Sequence, residues 1–163
     1  MFNLTKQHYL RILFTLSCLI LLSALIIEYI LGYQPCNLCI IERIPYGLAI
    51  IILILNNFFK EDQLFHNILL ILVFLFSIII SVYHFGIEQG FVEESTVCAS
   101  QNIDLMTREQ ILNSLKELNI SCKNVAFRIF GLSLTTYNLF ASVLMLIMSL
   151  KILTLNSNHD IKK

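Results

Sequence analysis

The sequence predicts an all-α membrane protein, a four-transmembrane-helix bundle in a single domain spanning residues 1–163, and three observations carry that reading. The composition is 57% hydrophobic and 13% charged, far from the roughly half apolar and quarter charged make-up of soluble domains. The apolar residues gather in four long runs that lack the polar face a core helix would turn to water. Lys and Arg collect at one set of run ends, as they do on the cytoplasmic side of a membrane. The formal net charge is +0 with no basic tract, so the electrostatic footprint of a nucleic-acid binder is missing.

Taken in order, residues 10–31 form the first span. Lys6 and Arg11 resemble the start of a signal peptide, but the apolar stretch is too long for one and no small-residue cleavage site comes after it. The second span covers about residues 40–59, opening with Glu42, Arg43 and Pro45 ahead of a continuous apolar run. The third covers about residues 68–85. The fourth covers about residues 129–153 and carries a polar insertion of Ser133, Thr135, Thr136 and Asn138. The tail from Asn156 to Lys163 is polar and expected to be disordered.

An even number of spans puts both termini on one side. That side holds Lys6, Arg11, Lys60, Lys151, Lys162 and Lys163, whereas the loop over residues 32–39 has no basic residue. The termini are therefore expected in the cytoplasm and the loops over about 32–39 and 86–128 outside it. Within the longer loop, Thr107 and Gln110 make a capping-box pattern before Ile111, Leu112, Leu115 and Leu118. A short amphipathic helix on the membrane surface is expected there.

Five cysteines are many for such a chain, and compartment decides their meaning, because cytosolic thiols are kept reduced and external ones are not. The topology puts Cys36, Cys39, Cys98 and Cys122 on the outer side and only Cys18 within the bilayer. Cys36-Asn37-Leu38-Cys39 is a CxxC at the start of a helix, with Arg43 about one turn on. A helix N-terminus and a nearby cation both favour the reactive thiolate. Such a motif serves equally as a structural disulfide, half a metal site or a redox pair. A disulfide between Cys98 and Cys122 would close a sizeable loop, stabilising it by about 3 kcal/mol on a chain-entropy model. Beside a CxxC it also becomes a partner for exchange, since disulfides pass electrons by thiolate attack. Glu28, His84 and Glu88 lie near outer helix ends, where they either move protons or are simply solvated. Cys18 reads as a small buried hydrophobe.

The run Pro35-Cys36-Asn37-Leu38-Cys39-Ile40-Ile41-Glu42-Arg43 resembles the P-C-x-L-C-x-x-E-R signature of the DsbB family of disulfide-bond formation proteins. Tyr83-His84-Phe85-Gly86-Ile87-Glu88 and Phe130-Gly131-Leu132-Ser133 extend the similarity over essentially the whole chain. The resemblance implies an enzyme of the bacterial inner membrane, working as a monomer, that reoxidises a periplasmic DsbA-like protein of thioredoxin fold. It implies a mixed disulfide at Cys98, resolved by Cys122, with electrons passing to Cys36 and Cys39. The acceptor it implies is a membrane quinone, ubiquinone or menaquinone, met by Cys39 with Glu42 and Arg43 beside it. No metal is expected. The competing readings are an inert membrane subunit whose disulfides only brace its loops, and a metal-binding protein using Cys36 and Cys39.

Overall fold

In the computed structural model of the chain, the described residues are 6–58, 63–93, 98, 122–123 and 128–160. Four helical stretches are long and apolar enough to cross a membrane: Lys6–Ile30, Asn37–Phe58, Gln63–Glu88 and Leu134–Leu155. The expected amphipathic helix over residues 107–118 lies outside the described residues.

The first span starts earlier than expected. Helix α1 runs Lys6–Leu25 and continues into a π-helical turn, Ile26–Ile30. The extra residue of a π turn rotates the residues beyond it relative to the α-helical frame, a device common at functional sites. The wide turn is closed by the Leu31 N–H on the Ile26 carbonyl and the Tyr33 N–H on the Ile27 carbonyl. Gly32 between them takes φ 75°, a left-handed conformation that glycine adopts without Cβ strain.

The second span is not one helix from residue 40. It begins with α2, Asn37–Ile41, and resumes as α3, Ile44–Phe58. Pro45 explains the break: it has no N–H for the Ile41 carbonyl and its ring crowds that oxygen. The chain tightens there, with the Arg43 N–H on the Ile40 carbonyl, and the α ladder resumes where the Gly47 N–H reaches the Arg43 carbonyl. Glu42 and Arg43 thus sit on a corner between two helices.

Helix α4 spans Gln63–Glu88, longer at both ends than its apolar run. The fourth span does not start at residue 129. Residues 128–133 form a small hairpin of β1 (Arg128–Ile129) and β2 (Leu132–Ser133), paired Arg128↔Ser133 and Ile129↔Leu132. Its central residues Phe130 and Gly131 have φ 50° and 82°, the double positive φ of a type I′ turn. Helix α5 comes next, over Leu134–Asp160, so backbone helix replaces the expected disorder as far as Asp160.

Helix α4 is the hub, packing on α5 and α3, while α1 packs chiefly on α3. Helices α4 and α5 run antiparallel: Asn138 Nδ2 donates to Ser81 Oγ at 2.8 Å, and Asn67 Nδ2 donates to the Ser149 carbonyl at 3.3 Å. Toward the end that carries Lys6, an apolar core of Leu13, Ala49, Leu70, Phe74, Met145 and Ile152 is sealed, each at most 1% exposed. Beyond it lies a polar seam. The Tyr46 hydroxyl meets the Asn138 side chain and, at 2.9 Å, Ser142 Oγ, which in turn lies 2.8 Å from Ser77 Oγ. Lipid tails are as apolar as Leu, so helix association in a bilayer relies on close packing of small residues and on such cross-helix hydrogen bonds. The outward faces are apolar, with Ile79 66% and Phe140 67% exposed. At the far end from Lys6 a second cluster gathers Cys36, Leu38, Ile87, Cys98 and Cys122.

Candidate active site

The CxxC is built by the chain's turn into α2. Cys36 is the N-cap, with φ −71° and ψ 166°, and its sulfur accepts the Cys39 N–H at 3.2 Å. A side chain that satisfies an orphan amide of the first turn anchors the helix start. One turn later Cys39 brings its sulfur to 2.6 Å from that of Cys36. The two stand as free cysteines, Cys36 buried and Cys39 half-buried. Cys98 and Cys122 are joined in a disulfide with Cα atoms 5.5 Å apart, and both are buried, at 4% and 2% exposure. All four sulfur-bearing residues belong to the second cluster, with Cys39, Ile41 and Tyr83 packed at its margin.

Behind the CxxC lies a set of polar groups that apolar helices rarely hold. His84, 1% exposed, places Nε2 3.6 Å from Cys36 Sγ. Its other nitrogen, Nδ1, lies 3.1 Å from Glu42 Oε1 and 3.2 Å from Thr135 Oγ1. The Thr135 hydroxyl donates to Glu88 Oε1 at 2.6 Å, and that oxygen stands 3.8 Å from His84 Nε2. The α2–α3 corner supplies Glu42. One face of α4 supplies His84 and Glu88, which its i, i+4 spacing stacks. The first turn of α5 supplies Thr135.

This arrangement acts on the Cys36 sulfur. Hydrogen bonding with the Cys39 thiol, and then with His84, pulls the Cys36 thiol from its ordinary 9.0 down to about 5, against the opposing effect of burial. The thiolate is the nucleophile in disulfide chemistry, so this end of the pair is the activated one.

The structure redistributes the roles that spacing suggested. The side chain that reaches Cys36 is His84, not Arg43. That guanidinium pairs with Glu28 of the π turn, both side chains 22% exposed, because the corner at Glu42–Arg43 sends the two side chains different ways. Glu42 turns inward, 7% exposed, onto His84. His84 and Glu88 are not solvated helix ends: their side chains are 2% and 5% exposed. Thr135 is the member of the set that residue type alone did not single out, although the polar insertion before the last apolar run was its signal. Cys18 stands apart in α1 as a free, half-buried cysteine. The ligating atoms of Cys36, Cys39 and His84 lie within 4.8 Å of one another, a spacing that would also suit a soft metal ion.

Comparison with known proteins agrees with this geometry. A relative from Rickettsia prowazekii (strain Madrid E), bearing the name "Uncharacterized protein RP370", is 35% identical over 141 residues, covering 83% of this chain and 81% of its own. The family model for "Disulfide bond formation protein DsbB" matches residues 6–152, a stretch that takes in the first three spans, most of the fourth, both cysteine pairs and the His84 set. The chain therefore belongs to the DsbB family of disulfide bond formation proteins.

Proposed function

We propose that the chain is a thiol:quinone oxidoreductase that reoxidises a periplasmic DsbA-like dithiol protein and passes the electrons to ubiquinone or menaquinone. One observation carries this: two cysteine pairs, far apart in sequence, share one buried cluster at one end of a membrane bundle. Disulfides that only brace loops have no reason to converge on a free, activated CxxC. The partner's thiolate attacks the Cys98–Cys122 bond at Cys98 and expels Cys122, the partner's second thiol resolves the mixed disulfide so that the partner leaves oxidised, and exchange of the Cys98 and Cys122 thiols with a Cys36–Cys39 disulfide moves the electron pair to Cys36 and Cys39. In that reading the cysteines face the periplasm, both termini face the cytoplasm, and the enzyme works as a monomer, since one chain supplies every group of the path.

The residues around Cys39 suit a lipid-soluble acceptor. Cys39 is half-buried, and its neighbours Ile40 and Ile44 are 48% and 50% exposed on the apolar outside. A bound quinone would supply a two-electron sink there. Arg43, held by Glu28 close to the corner, offers a fixed positive charge toward oxygens that gain negative charge on reduction. Glu42 contributes through His84.

The test is purified protein in lipid nanodiscs, given a reduced thioredoxin-fold dithiol protein and a ubiquinone analogue. Quinone reduction dependent on the dithiol protein, lost in Cys36→Ser and in Cys98→Ser, is the expected result. An absence of turnover in the wild type would return the protein to an inert membrane subunit. Labelling with a membrane-impermeant thiol reagent checks the sidedness of both pairs. The convergence of Cys36, Cys39 and His84 favours one other reading, a metal site, and stoichiometric zinc in the reduced protein as isolated would support it.

A further inference from the structure

We propose that His84 is the base that removes the Cys36 proton during oxidation of the CxxC, with Glu42, Thr135 and Glu88 positioning its ring and stabilising the charge it acquires. This deepens the oxidase reading and rests on it.

Hydrogen-bond accounting fixes which face of the ring is basic. Thr135 has a single hydroxyl proton, and it is committed to Glu88 Oε1 at 2.6 Å. Thr135 Oγ1 therefore meets His84 Nδ1, 3.2 Å away, only as an acceptor. Glu42 Oε1, 3.1 Å from the same nitrogen, is an acceptor too. A nitrogen facing two acceptors carries the proton. The neutral ring is then the Nδ1–H tautomer, and its lone pair on Nε2 points at Cys36 Sγ, 3.6 Å away. The arrangement repeats the general logic of a nucleophile, an imidazole base and an orienting carboxylate.

The surroundings suit an imidazolium once formed. The titratable groups that face the ring are Cys36 and Cys39 from the CxxC turn, Glu42 from the corner, and Glu88 one turn along α4. Two carboxylates of low exposure thus flank it. Among the described residues, Glu88 Oε2 is buried without a hydrogen-bond partner, leaving that carboxylate acceptor capacity to spare. The titration of Cys36 is lowered first by the Cys39 thiol and then by His84, and the second contribution agrees with proton transfer to the ring.

In the reaction, Cys36 Sγ–H gives its proton to His84 Nε2, and the thiolate forms the S–S bond with Cys39 Sγ. The electron pair leaves through Cys39 to a quinone, which is reduced to the quinol. The two thiol protons end on the quinol oxygens, one of them after residence on the His84 set.

The experiment tracks oxidation of the reduced Cys36–Cys39 pair in a single turnover with a short-chain ubiquinone analogue, in nanodiscs and across pH, for wild type, His84→Gln, Glu42→Gln and Glu88→Gln. General-base assistance is worth about 10²- to 10⁴-fold. His84→Gln is expected to slow oxidation by a factor in that range and to move the acid limb of the pH–rate profile to higher pH, while the Cys98–Cys122 disulfide still forms. The two carboxamide variants are expected to slow the step less and to shift that limb by less. Alkylation of Cys36 by an uncharged maleimide supplies a readout without quinone: its pH midpoint should rise in His84→Gln. A His84→Gln protein with wild-type rate, profile and midpoint overturns the proposal, and so does a slow variant whose profile and midpoint are unchanged, since a merely structural role would give that. A wild type that never reduces the analogue overturns the oxidase reading itself, and this inference with it.

Discussion

The activation of Cys36 yields a prediction whose size can be worked through. A thiol at 9.0 is about 1% ionised at pH 7, and one at about 5 is about 99% ionised, roughly a hundredfold gain in thiolate. Thiolate nucleophilicity falls with basicity at a Brønsted slope of about 0.4–0.5, so four units cost roughly 40- to 100-fold per thiolate. At pH 7 the two nearly cancel, and the rate of Cys36 alkylation should look ordinary. Its pH profile should not. In the reduced protein, with Cys18→Ser and the Cys98–Cys122 disulfide intact, alkylation mapped to Cys36 by peptide mass should reach half its plateau near about pH 5. Because the folded value is depressed, the contacts that hold the thiolate contribute fully above the unfolded value of 9.0 and are lost as pH falls through about 5. The reduction potential of the pair should accordingly fall by about 30 mV per pH unit above that point and about 59 mV below it, as long as only one of its thiols ionises. An alkylation midpoint near 9 would refute the reasoning, because neither the Cys39 thiol nor His84 would then be acting on the sulfur.

Three further outcomes are expected. Arg43→Ala should raise the quinone concentration needed for half-maximal turnover by about 10- to 100-fold, the worth of one hydrogen bond to a charged group, with both disulfides still forming; Glu28→Gln, which leaves the guanidinium in place, should do less. Tyr46→Phe removes the hydroxyl that links α3 to Asn138 and Ser142 of α5, and should lower stability in detergent unfolding by about 1–2 kcal/mol without moving the Cys36 midpoint. Phe130, 98% exposed, holds φ 50°, so Phe130→Gly should raise the unfolding midpoint through relief of about 1 kcal/mol of backbone strain; a lower midpoint would mean that its ring contributes more than its backbone costs.

Much of the fold was legible because lipid imposes a simple rule. Backbone groups in hydrocarbon must be satisfied within a helix, so long apolar runs report spans directly. Ends and corners were not legible in the same way. The break at Glu42–Arg43 depends on one missing N–H at Pro45, and the hairpin at residues 128–133 hides inside an apolar stretch that periodicity joins to the last helix. The four cysteines of the site were visible from residue type and spacing. Their meeting in one cluster was not, since no local pattern reports how α2, the long loop and α4 approach one another. Arg43 shows the limit of spacing: it lies about one turn beyond Cys39, yet its guanidinium pairs with Glu28 while His84, distant in sequence, reaches Cys36.

The burial of the sulfurs has a consequence for leakage. Cys36, Cys98 and Cys122 are 6%, 4% and 2% exposed, so dissolved thiols meet little sulfur surface on collision, and exchange requires direct access to the atom attacked. A conductor wrapped this closely does not short to the medium. In the oxidase reading proposed above, current enters where a partner protein lifts the wrapping and drains toward the lipid.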